Sequence, residues 1–352
     1  MTFIYFIILL SVIICIHEAG HLLAAKLFHV YVYEYSFGMG PALLQKKTKE
    51  TTYSIRAIPM GGFVALAGES DGDAYEGVVV PEGRRLTDKP AWQKIIILLA
   101  GVAMNFLLAL VIISMIVLYN GAFAESPEAR IEAVVEGSPA ERAGLQPGDR
   151  IIRLSDGQRT MKPDSFQDLQ AFFITLEEGD VVTMTVLRNN EEVTVNVKPE
   201  YSEENQSFMI GIQGPKVAIR KVNILNCWYY GAKELGYIFT MMVEGIRTLF
   251  FGRNLDQLSG PVGIYTATEQ SVSYGLIGYL VLMAELSLNV GLLNLLPLPV
   301  LDGGQVVITL FEALFRKKLS EKVRIGLMSA CWVLLIALFL FVTWNDISRL
   351  LG

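Results

Sequence analysis

Two imidazoles and a carboxylate fall within five consecutive residues near the start of this chain: His17, Glu18, Ala19, Gly20 and His21. On a helix, residues four apart share a face, so His17 and His21 can hold one metal ion, and Glu18, one position round, can reach a water on that ion. The chemistry of such a set is hydrolysis, in which imidazoles hold zinc and the carboxylate takes a proton from water. The pattern alone is only moderately specific, because a core histidine satisfied by a neighbouring glutamate would read the same way. Its setting sharpens it. The motif lies in an apolar segment running from about Thr2 to Phe28, and ionisable side chains in a membrane span are costly enough to be functional by default.

The elements that must position this motif are mostly membrane helices. The chain has 352 residues, is 52% hydrophobic and contains several long apolar runs, which indicates an integral membrane protein with room for two or three units. Net charge is −6 with no basic stripe, which argues against nucleic acid as a partner. Cys15, Cys227 and Cys331 form neither a CxxC pair nor a disulfide framework, and Cys15, two positions before His17, points to another helix face.

Residues 1–28 are expected to be a transmembrane helix and not a cleaved signal peptide, since they lack an initial Lys or Arg and a small-residue cleavage site. Residues 29–93 form a loop and β-hairpin region. Thr51 to Ala57 alternates like a strand, Gly61, Gly62 and Phe63 fall in a second extended run, and Asp71 to Arg85 is an acidic loop. Residues 94–119 are a second transmembrane helix, with Asn105 as the one strongly polar side chain in its middle; an interhelical hydrogen bond accounts for it. Residues 126–200 read as an inserted α+β domain, with a helix near Ser165 to Leu176 and a hairpin turning at Asn189-Asn190.

Residues 201–273 comprise an amphipathic helix at the membrane surface, interrupted by Lys233, Glu234, Glu244 and Arg247, and a turn-rich connector at Leu258 to Ile264. Residues 274–304 are a third transmembrane helix carrying Glu285, Asn289 and Asn294. Pro297 and Pro299 break it ahead of Asp302. Backbone freed at membrane depth must face protein or water, so Asp302 sits at a point suited to a metal ligand, although a helix-capping Asp reads the same way. Residues 325–344 are the fourth transmembrane helix.

Loop charges give the expected orientation. Lys46, Lys47, Lys49, Arg56, Arg84, Arg85 and Lys89 precede the second span, and Arg316, Lys317, Lys318, Lys322 and Arg324 precede the fourth, which places both loops in the cytoplasm and the α+β domain outside. The histidine motif and Asp302 then meet at one depth. If residues 222–252 also crossed, Asp302 would fall on the opposite side, so the metal reading requires that this helix does not span.

The order Gly137-Ser138-Pro139-Ala140, Ala143-Gly144-Leu145, Gly148-Asp149 resembles bacterial PDZ domains, which take an extended peptide by strand addition. A domain that only fills space or blocks access is the other reading. The whole chain resembles the site-2 proteases, specifically the RseP-type intramembrane zinc metalloproteases. The resemblance rests on residues 17–21, Phe37-Gly38-Met39-Gly40-Pro41, Met60-Gly61-Gly62-Phe63, Ala100-Gly101 with Asn105, the single PDZ-like domain, Ser259 to Ile264, and Asn294-Leu295-Leu296-Pro297 with Leu301-Asp302-Gly303. It implies that His17, His21 and Asp302 bind Zn²⁺, that Glu18 is the general base, and that Asn294 and Asn289 hold substrate or steady the site. It also implies that the hairpin with Gly61, Gly62 and Phe63 pairs with an extended substrate.

Expected substrates are single-span membrane proteins such as anti-sigma factors, or remnant signal peptides, cut within the bilayer of the bacterial cytoplasmic membrane. The extracytoplasmic PDZ-like domain serves there as a size filter or takes a peptide ligand. Val102, Gln305 and Glu285 depart from the family pattern without touching a proposed ligand. A membrane-anchored PDZ scaffold or chaperone with an inactive metal site is the alternative. A transporter would show inverted repeats, and none is visible.

Overall fold

The computed structural model describes residues 1–69, 75, 78–203, 205, 207–250 and 259–351. It divides into two compact units, Met1–Ile112 with Leu258–Gly352, and Ile113–Gln257. Among the described residues, four helices are long and apolar enough to cross a membrane: Thr2–Leu27, Ala91–Asn120, Gly275–Asn294 and Glu321–Ser348.

In the first unit, helix α1 (Thr2–Leu27) carries the histidine motif. Strands β1 (Val32–Lys47) and β2 (Thr52–Leu66) follow as a two-stranded antiparallel sheet. Both strands are long and bent. Tyr35 opposes Val64 on one side and Tyr53 on the other, so the first half of β1 is flanked by both halves of β2. Glu34 locks this arrangement. It is buried, and it accepts hydrogen bonds from Ser54, from Arg56 (Nη2, 2.6 Å) and from Tyr75 (3.0 Å). Burial opposes its charge, but these donors outweigh burial and hold the carboxyl below the usual carboxylate range. The acidic loop expected from Asp71 begins outside the described residues.

Helix α2 (Ala91–Asn120) belongs to the first unit up to Ile112 and to the second from Ile113. The second unit then adds β3 (Ala122–Glu125), β4 (Ala133–Val134), α3 (Pro139–Arg142), β5 (Arg150–Ser155), β6 (Thr160–Met161), α4 (Phe166–Ile174), β7 (Val182–Arg188) and β8 (Glu191–Val197). The sheet order is β6-β5-β7-β8. Asn189 and Asn190 both take positive φ, 51° and 69°, as the two-residue turn between β7 and β8 requires. Ser165 caps α4 in a reciprocal box with Asp168. Phe172, Ile131, Ile151, Leu154 and Met184 are buried in the core.

This unit does not end at residue 200. Strands β9 (Glu200–Ser202), β10 (Ser207–Met209), β11 (Ile212–Gln213) and β12 (Ala218–Lys221) continue it; β11 pairs with β4 and β12 with β3. Ile210 joins the core. These strands are two to four residues long and polar in part, so their alternation was too short to read. The amphipathic helix is α5 (Cys227–Phe250); it is not among the four apolar spans, and it packs on α4.

In the first unit, the expected connector becomes a helix, α6 (Pro261–Ser273). Pro261 starts it instead of breaking it, because the first helical position needs no N–H. The buried carboxylate of Asp346 accepts the N–H groups of Gly260 (2.9 Å) and Gly263 (2.8 Å). Helix α7 (Gly275–Asn294) is shorter than the expected single helix over 274–304. A turn at 295–301 separates it from α8 (Asp302–Phe315), and α9 (Glu321–Leu351) ends the chain. The turn folds against the start of α8 so closely that a Cβ on Gly304 would lie 2.0 Å from the carbonyl oxygen of Leu298. Asp302 thereby follows the expected break and opens a new helix.

Candidate active site

Helix α1 places His17 and His21 one turn apart, both buried. Helix α2 crosses α1 at Gly20, where an added Cβ would lie 2.3 Å from the carbonyl oxygen of Ala100. Opposite it, a Cβ on Gly101 would lie 2.5 Å from His21 Nε2 and 2.8 Å from His17 Nε2. The two backbones therefore approach as only small residues allow, and the imidazoles rest directly on α2. The carbonyl of Ile97 lies 2.8 Å from His21 Nδ1. A carbonyl only accepts, so Nδ1 carries the proton and Nε2 offers a lone pair.

Asp302 comes from the start of α8. Its Oδ2 lies 3.1 Å from His17 Nε2 and 3.6 Å from His21 Nε2, and the two Nε2 atoms are 3.1 Å apart. The Asp302 Oδ2 atom is buried without a hydrogen-bond partner among the described residues. Three ligand atoms therefore converge within 4.8 Å of one another. A tetrahedral zinc site with bonds of about 2.0 Å has ligand atoms about 3.3 Å apart, so this donor set fits Zn²⁺, and a cation supplies what the orphaned oxygen lacks.

Glu18 faces the same space. Its Oε2 accepts the N–H of Val64 on β2 at 3.0 Å, which ties the helix motif to the sheet. A cavity of about 290 Å³ is lined by His17, Glu18, His21 and Asp302, together with Val64, Glu69 and Asn294. Its apolar wall includes Ile14, Ile97, Val290 and Val300. The arrangement joins a three-ligand cation site, a carboxylate able to take a proton and a pocket for a reacting group, which is the equipment for metal-assisted hydrolysis.

Of the residues expected to meet substrate, Asn294 lines the cavity and Asn289 does not. Gly61 and Gly62 lie beside Ile14 and Cys15 of α1, and the ring of Phe63 lies under the Arg56 guanidinium at 4.9 Å; none of the three lines the cavity wall. Sequence reasoning missed one contributor, Glu69, which sits in the turn after β2 and carried no signal. Gly101 and Asn105 belonged to the motif behind the resemblance but had no place in the site. Asn105 makes the expected interhelical hydrogen bond, and its partner is the motif histidine, its Nδ2 lying 3.3 Å from His17 Nδ1.

The model of Peptidase family M50 matches residues 5–338. A relative in Fusobacterium nucleatum subsp. nucleatum is 35% identical over 99% of both chains. One in Clostridium perfringens is 32% identical over 99% of this chain and 98% of its own, and one in Agrobacterium fabrum is 32% identical over 99% and 96%. All three carry the description "putative zinc metalloprotease". Among solved structures, the PDZ domain of the SdrC-like protein from Listeria monocytogenes matches 26% of this chain and 90% of its own, at 20% identity and a TM-score of 0.22. With a family match over nearly its whole length and relatives of full-length coverage, the chain belongs to Peptidase family M50, the site-2 proteases, and is a multi-pass membrane zinc metalloprotease.

Proposed function

We propose that this protein hydrolyses peptide bonds within the transmembrane segments of single-span membrane proteins or remnant signal peptides, anti-sigma factors being the model class, in the bacterial cytoplasmic membrane. The observation that carries this reading is the convergence of His17, His21 and Asp302 beside Glu18 in one cavity, on helices apolar enough to span. His17, His21 and Asp302 hold the zinc, and Glu18 is the general base. Bound there, zinc supplies the Lewis acidity that lets water lose a proton near neutral pH. Glu18, oriented by the Val64 N–H, accepts that proton. The hydroxide adds to the substrate carbonyl carbon, the C–N bond breaks, and Glu18 returns the proton to the departing amine nitrogen.

A helical substrate must unwind before its carbonyl is accessible. Strand addition along β2, at Gly61, Gly62 and Phe63, compensates the backbone hydrogen bonds it gives up. Asn294, on the cavity wall, holds the unwound segment. The unit between α2 and α5, with its PDZ-like sequence order, lies outside the cytoplasm and restricts access to trimmed substrates.

The test is cleavage of a model single-span substrate by purified protein in detergent, beside Glu18→Gln, with zinc measured in both. Cleavage should fall by about 10²–10⁴-fold at equal zinc content. Equal cleavage by both would remove Glu18 from the chemistry, and zinc-free protein that still cleaves would remove the metal.

A further inference from the structure

His17 and His21 are supported differently. His21 Nδ1 faces the carbonyl of Ile97, which accepts and nothing else, so the His21 tautomer is fixed with Nε2 bare. His17 Nδ1 faces the side-chain amide of Asn105, which offers a donor on one end and an acceptor on the other. Asn105 is fully buried, its Nδ2 is the end opposite Nδ1, and its Oδ1 is a buried atom without a partner among the described residues.

A neutral imidazole carries one proton. When Nδ2 donates to Nδ1, that proton sits on Nε2, and a protonated Nε2 cannot be a ligand. Rotating the amide by half a turn puts Oδ1 opposite Nδ1. The proton then sits on Nδ1, and the Nε2 lone pair points at the place where Asp302 Oδ2 and His21 Nε2 converge. One orientation blocks the site and the other opens it, with no change in net charge and no movement of a helix.

We propose that Asn105 is the positioning residue that sets the His17 tautomer, its amide turning to present Oδ1 when zinc is taken up. This rests on His17 ligating zinc through Nε2. In the recorded orientation Oδ1 has no partner among the described residues and a His17 Nε2–H would face Asp302 Oδ2 at 3.1 Å; the half turn gives Oδ1 the Nδ1–H, and a cation takes the place of the Nε2 proton. His21 is thus a ligand prepared in advance, and His17 is one that Asn105 admits.

The chain has three histidines, so ¹⁵N-histidine labelling gives a spectrum of three rings. Full-length protein in detergent should show His17 as the Nε2–H tautomer without zinc and the Nδ1–H tautomer with it, while His21 stays Nδ1–H throughout. Asn105→Leu, which offers neither group, should lose zinc affinity by roughly 10–100-fold in chelator competition while remaining folded by thermal melting. Asn105→Asp, with the acceptor retained, should recover affinity and show the Nδ1–H tautomer even without zinc. Wild-type affinity in a folded Asn105→Leu, or an Asn105→Asp as weak as Asn105→Leu, would overturn the proposal. His17→Ala separates it from the reading beneath it: unchanged zinc affinity there would show that His17 is not a ligand, whereas loss there with none in Asn105→Leu would refute the role of Asn105 alone.

Discussion

Two buried polar clusters, the one around Arg159 in the second unit and the one around Asp302 in the first, are built to opposite specifications. In the second unit, Arg159 donates to Asp156 (2.9 Å), to Glu244 on α5 (3.2 Å), to the carbonyl of Phe172 (3.1 Å) and to Thr175, and lies 4.3 Å over the Phe172 ring. Each donor meets an acceptor. Burial opposes the charge of Asp156, but the backbone N–H groups of Arg159 and Gln158 and the guanidinium hold its carboxyl below the ordinary range. In the first unit, His17, His21 and Asp302 bring three ligand-capable atoms together, and Asp302 Oδ2 makes no hydrogen bond of good geometry among the described residues. A buried cluster whose protons and lone pairs balance holds a fold together, and one with lone pairs in excess waits for a cation.

The comparison predicts opposite responses to the removal of one member. Asp302→Ala should weaken zinc binding by more than the roughly 10–100-fold typical of losing an outer hydrogen-bond partner. The second unit should be as resistant to limited proteolysis as in wild type, and full zinc occupancy in this variant would end the ligand assignment. Arg159→Ala removes the buried guanidinium shared by Asp156 and Glu244 and should destabilise the second unit by about 3–5 kcal/mol. Hydrogen exchange should show α4 and α5 opening while zinc content is unchanged; zinc loss would mean that the clusters are not independent.

Glu34 sharpens the contrast, since it is a buried carboxylate whose donors are all supplied by protein. Its folded pKa is depressed from 4.5, so its contribution is complete above that value and drains away as pH falls through the lower folded one. Exchange of the β1–β2 amides should therefore accelerate below about pH 4. Glu34→Gln should show no such acid step, and an identical step in both would assign it to another group. The smallest effect belongs to an ordinary cap. Ser165→Ala should cost about 1 kcal/mol at the start of α4, read by denaturation, with zinc and cleavage untouched.

How far the sequence revealed this site depended on the range of the interaction. His17, Glu18 and His21 were legible because one helical turn fixes their relation. Asp302 was legible because Pro297 and Pro299 announce a break ahead of it. Asn105 was visible as a polar residue in a span, but its partner lies 88 residues away across a crossing set by Gly20 and Gly101, and no local pattern encodes that register. Glu69 reaches the cavity from a turn without periodicity. In the fold, the four apolar helices and the Asn189-Asn190 hairpin followed from local rules. Helix α6 did not, because Pro261 serves equally as a breaker and as a first residue. The strands from Glu200 onward were missed because they are too short to show alternation, and β11 and β12 owe their pairing to β4 and β3, far earlier in the chain.

The carboxylate of Asp346 bears on how such a chain is made. It receives the N–H groups of Gly260 and Gly263, the former 86 residues before it. Ribosomes deliver residues in order, so the opening turn of α6 is made before its carboxylate partner and waits for it until α9 has followed. Arrival of the last helix is therefore also the step that completes an earlier one.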